Sequence, residues 1–79
     1  MGYNIIIGGE LVGSGLSKGE LKRWLMELWG ELSPLDQKVF EIDLGASGNF
    51  EEYLYNTTLD LPLFARFREM ILEVYEEEI

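Results

Sequence analysis

Leu16-Ser17-Lys18-Gly19-Glu20-Leu21-Lys22-Arg23-Trp24-Leu25-Met26-Glu27-Leu28-Trp29-Gly30-Glu31-Leu32 is the stretch around which the chain is organised. Ser17 and Glu20 have the S-x-x-E spacing of a capping box, in which each side chain answers an N–H that a helix start leaves orphaned. Leu16 before the cap and Leu21 within the first turn occupy the positions of a hydrophobic staple. Leu21, Trp24, Leu25, Leu28, Trp29 and Leu32 then recur at three- and four-residue steps and form one wide apolar stripe. Ser33-Pro34 supplies the stop. The spacing predicts a helix over Ser17–Leu32 whose stripe the rest of the chain must cover.

Working outward, Tyr3-Asn4-Ile5-Ile6-Ile7 is β-branched and aromatic and reads as a strand. Gly8-Gly9 turns it into a hairpin with Glu10-Leu11-Val12, or else a glycine bulge interrupts a single strand. Gly13-Ser14-Gly15 reads as a loop leading into the helix. On the other side, Ser33-Pro34-Leu35-Asp36 reads as a turn or a single helical turn. Val39–Leu44 alternates, with Phe40, Ile42 and Leu44 on one side, and reads as a half-buried strand. Gly45–Asn49 is a loop. Asn49 and Glu52 cap a short helix through Tyr55, although the aromatic and threonine content of Phe50–Thr58 also suits a strand. Pro62 opens a second long helix to about Glu77, with Leu63, Phe67, Met70, Ile71 and Val74 as its buried stripe.

The resulting expectation is a single α+β domain over residues 1–79. Its order is β(β)-α-β-(α)-α, a small two- or three-stranded sheet packed under two amphipathic helices. A strand-helix-strand crossover implies a right-handed parallel pair.

Composition narrows the chemistry. The chain has no cysteine and no histidine. That removes disulfides, most zinc and haem ligation, and the Ser-His-Asp and Cys-His triads. No apolar run approaches the ~20 residues of a membrane span, and no signal-peptide pattern is visible. The expectation is a cytoplasmic protein, not an enzyme, with no cofactor and no metal. At 47% hydrophobic in so short a chain, self-association into a homodimer or higher homo-oligomer is expected.

The formal net charge is −9, and it is unevenly placed. Residues 1–40 carry a net of −1 and residues 41–79 a net of −8. Such a field repels nucleic acid and anionic membrane and attracts basic surfaces. The acidic set is Glu41, Asp43, Glu51, Glu52, Glu69, Glu73, Glu76, Glu77 and Glu78. It reads either as a face for a basic, nucleic-acid-binding protein or as a solubilising surface. Glu41, Asp43, Glu51 and Glu52 also suit a hard cation, but no D-x-[DN]-x-[DN]-G loop accompanies them. Trp29 borders the helical stripe and is a candidate partner contact or a core residue.

A second candidate site is Gly13, Ser14, Gly15, Ser17 and Lys18, before a helix start where free N–H groups can hold a phosphate. The spacing matches neither G-x-G-x-x-G nor the Walker pattern.

The opening Met1-Gly2-Tyr3-Asn4-Ile5-Ile6-Ile7-Gly8 resembles the start of small proteins encoded by tailed bacteriophages, over about one-tenth of the chain. A small, acidic, cysteine-free chain also looks like phage inhibitors of bacterial defence, many of which bind rather than catalyse. The resemblance implies an inhibitor that blocks a basic host protein. The alternative is an oligomeric sponge that sequesters a phosphorylated nucleotide or signalling small molecule at Gly13–Gly19.

Overall fold

The Gly8-Gly9 dipeptide takes positive φ at both positions, 60° and 82°, and folds the N-terminal segment into a hairpin. Such turns match the twist of paired strands and suit glycine. A computed structural model describes residues 2–46 and 48–77. Met1 of the opening motif, Ser47 of the predicted loop and Glu78 of the acidic set lie outside the described residues. The hairpin strands are β1 (Gly2–Ile7) and β2 (Glu10–Leu16). Three helices follow: α1 (Lys18–Gly30), α2 (Pro34–Leu44) and α3 (Phe50–Asn56). A second hairpin, β3 (Leu63–Phe67) and β4 (Met70–Glu77), ends the chain.

The four strands form one antiparallel sheet in the order β2-β1-β4-β3. The two hairpins meet along β1 and β4, with Ile5 opposite Val74 and Ile7 opposite Leu72. Inner-face residues Ile5, Leu63, Ala65, Phe67, Leu72 and Val74 are buried with Leu21 and Leu25 of α1, Phe40 of α2, and Phe50 and Leu54 of α3. No buried residue among those described is polar or charged.

The α1 start follows the sequence logic. Ser17 Oγ accepts the Glu20 N–H, and a Glu20 carboxylate oxygen accepts the Ser17 N–H at 3.0 Å. The staple residues Leu16 and Leu21 are both buried. The short helix α3 also starts as expected, with Asn49 accepting the Glu52 N–H at 3.0 Å.

The α+β class stands, but its composition is corrected. The sheet has four strands rather than two or three, every pair is antiparallel, and the order is β-β-α-α-α-β-β. Val39–Leu44 is helical, not a strand. Ser33 caps that helix through the Asp36 N–H, Pro34 sits at its first position, and Gly45 ends it at φ 79°. These end signals override the alternation. Phe40 and Leu44, four residues apart, are buried, whereas Ile42 is 70% exposed. Residues 62–77 form a hairpin, not a helix. Leu63, Phe67 and Val74 of the expected helical stripe are buried with Ala65 and Leu72 in the strand alternation, whereas Met70 and Ile71 of that stripe are exposed. In the strand form the segment supplies β1 with its second neighbour, so tertiary pairing decides between the two local readings.

Candidate binding surfaces

The described acidic residues of the sequence reading fall into three regions. In the helical layer, Glu41 lies on α2 and accepts a hydrogen bond from Trp29 Nε1 at 3.0 Å. The Trp29 ring stacks on Phe50 with centroids 5.3 Å apart. Gln37 Nε2 donates to the Trp29 carbonyl at 3.1 Å. Trp29 is therefore half-buried and fixed by three contacts. Beside it an open groove of about 430 Å³ is lined in part by Met26, Trp29, Lys38, Glu41 and Glu51. Glu51 and Glu52 occupy the first turn of α3, where the helix dipole favours carboxylates.

At the sheet edge, Asp43 of α2 is bound to Arg66 of β3. The Arg66 guanidinium and N–H hold the Asp43 carboxyl below its ordinary range.

On the C-terminal hairpin, Glu69 is exposed in the turn, Glu73 points to the outer sheet face, and Glu76 lies on the opposite parity of β4, across from Tyr3. Glu69, Glu73 and Glu76 therefore do not form one row, as they would have on a helix. Partial burial, and then the Glu73 carboxylate, push the Tyr75 phenol above its ordinary value.

The glycine-rich segment is built differently from a phosphate loop. Gly13, Ser14 and Gly15 belong to β2. The Gly15 N–H donates to Asn4 Oδ1 at 3.2 Å, and the Ser17 N–H is taken by Glu20. Those hydrogen bonds from Ser17 hold the Glu20 carboxyl below its ordinary value. The helix start thus already has an anion of its own. Lys18 is exposed at this end of α1, while Lys22 turns away to cap the Tyr55 and Thr57 carbonyls.

Sequence reasoning missed the outer face of the sheet. Leu11 of β2, Phe64 of β3 and Ile71 of β4 stand there 55%, 51% and 50% exposed. Ile6 and Tyr75 share that face by register, and Tyr75 meets the Phe64 ring edge-on at 6.1 Å. The signal was present as the second phase of the period-2 pattern in residues 63–75. It was hidden by the helical reading of that segment.

Among the described residues, no group of three or more acidic side chains is placed to hold a metal ion. No described helix is long and apolar enough to cross a membrane. No family model matches the chain, and no curated protein or solved structure matches it.

Proposed function

We propose that this is a non-enzymatic binding protein that occupies a basic surface on another protein. It acts as a phage-type inhibitor of a nucleic-acid-binding or defence factor in the host cytoplasm. The observation that supports this reading is the state of the carboxylates. Among the described residues, Asp43–Arg66 is the one ion pair within 4.0 Å, so the other described carboxylates have no cation in contact. A net charge of −9 on so small a body creates a field that accelerates approach to a basic surface and deters nucleic acid. Spaced carboxylates then take the place of phosphates in the partner's groove.

The test is capture of partners on the immobilised chain from nuclease-treated bacterial lysate, followed by competition with the purified partner. The expected result is a basic protein whose nucleic-acid binding is displaced by the chain. A captured partner that is not basic, or whose nucleic-acid binding is untouched, would overturn the reading.

A further inference from the structure

The outer face of the sheet has an unusual order of side chains. Leu11 pairs with Ile6, Ile6 with Glu73, and Glu73 with Phe64, so one row crosses all four strands. Ile71 and Tyr75 flank Glu73 along β4, two residues to either side. The half-buried Glu73 therefore sits at the centre of an apolar surface, and no cation lies within 4.0 Å of its carboxylate among the described residues. Arg66, its diagonal neighbour by register, is held instead by Asp43 at the edge. The helices bury the opposite face, while Leu11, Phe64 and Ile71 remain half exposed or more.

Two features select the occupant. A second copy placed face to face would bring Glu73 toward Glu73 and a net charge of −9 toward another −9. Like charges so placed oppose association, so a copy is disfavoured. A partner with apolar anchors and a cation between them complements the row. The row spans three strand spacings of ~4.8 Å, or ~14 Å, close to the length of a nine-residue helix. On such a helix, apolar side chains at i and i+7 stand ~10.5 Å apart and match Ile6 and Phe64, which lie two strand spacings or ~9.6 Å apart on either side of Glu73. A Lys or Arg at i+3 or i+4 then stands over Glu73.

Resting on the reading under Proposed function and giving it a place, we propose that this face docks a basic amphipathic helix of the partner protein, with Glu73 as the central charge contact. The Asp43–Arg66 pair keeps the protein's own cation away from Glu73.

The probe is a synthetic helical peptide with Leu at i and i+7 and Lys at i+3 and i+4, titrated at low salt into the isotopically labelled chain by NMR. A control peptide carries Glu in place of Lys. The expected result is amide shifts concentrated at Ile6, Leu11, Phe64, Ile71 and Glu73 with the Lys peptide alone. Glu73→Gln should weaken binding about fivefold or more. The outward Phe64→Ser should weaken it comparably, with the spectrum of the free chain otherwise preserved.

Shifts confined to Glu41, Glu51 and Glu52 would overturn this assignment and leave the broader acidic reading standing. Absence of binding to the Lys peptide would overturn the docking proposal, while the lysate capture decides the broader reading separately. Equal binding of the Glu peptide, or no effect of Glu73→Gln, would overturn the role of charge at this face. Concentration-dependent shifts on the same face without peptide would make a second copy the occupant and overturn the proposal.

Discussion

Asp43 grips Arg66 through three hydrogen bonds: Oδ2 accepts the backbone N–H and Nε at 2.9 Å each, and Oδ1 accepts Nη2 at 2.8 Å. The contact joins α2 to the edge strand β3 across 23 residues of sequence. It also covers an outward N–H that would otherwise be open to another strand, the usual hazard of a sheet edge.

Asp43→Asn should lower stability by about 1 kcal/mol at neutral pH, since the charge-assisted contact is partly exposed and screened. That corresponds to roughly 4–8 °C in Tm for a domain of this size. The pH dependence follows from the sign. The folded pKa of Asp43 is lowered, so its contribution is complete above the unfolded value of ~3.9. It is lost as pH falls through the folded value. Wild type and Asp43→Asn should therefore converge in acid, which thermal melts across that range would show. A constant gap down to the lowest pH would contradict the ionic account.

Trp29→Ala should destabilise by about 2–3 kcal/mol, combining lost apolar burial with a stacked pair worth ~0.5–1.5 kcal/mol. Glu41→Gln should change stability by under about 0.5 kcal/mol, because the amide oxygen still accepts from the indole. Urea unfolding of both variants checks the contrast. A neutral Trp29→Ala would mean that the ring is not part of the packed layer.

Gly9→Ala should cost about 1–2 kcal/mol through backbone conformation alone. Gly9 has φ 82°, and an added Cβ would meet no atom within 4 Å. Gly9→Asn should recover part of the loss, since Asn tolerates the left-handed region. Equal stability of Gly9→Ala and wild type would contradict the two-glycine turn.

The legible parts of the sequence were those with end signals and a single period. Ser17, Glu20 and the leucines of α1 agree with one another, and Asn49 with Glu52 marks α3. Residues 39–44 misled because Phe40, Ile42 and Leu44 alternate within a helix whose Ser33-Pro34 start and Gly45 end are the stronger signals. Residues 62–77 misled because Leu63, Phe67, Met70, Ile71 and Val74 satisfy a helix while Leu63, Ala65, Phe67, Leu72 and Val74 satisfy strands. The choice rests on pairing with Ile5–Ile7, some seventy positions away along the chain. The outer-face row inherits that difficulty, since Leu11, Ile6, Glu73 and Phe64 become neighbours only once four strands are aligned. Excess acidity was legible as composition, but its division among helical groove, sheet edge and hairpin was not.

The most direct test of electrostatic recognition is the association rate of the Lys peptide measured by stopped flow as salt is raised. The Debye length falls from ~30 Å at ~0.01 M to ~8 Å at ~0.15 M, so the rate should fall steeply over that interval. Changing Glu69, Glu73 and Glu76 together to Gln removes three charges from the C-terminal hairpin. That variant should associate more slowly and with a shallower salt dependence, and its loss of the Glu73 contact should also speed dissociation. An association rate indifferent to both salt and the triple change would contradict the account and leave the acidic half as a solubilising surface.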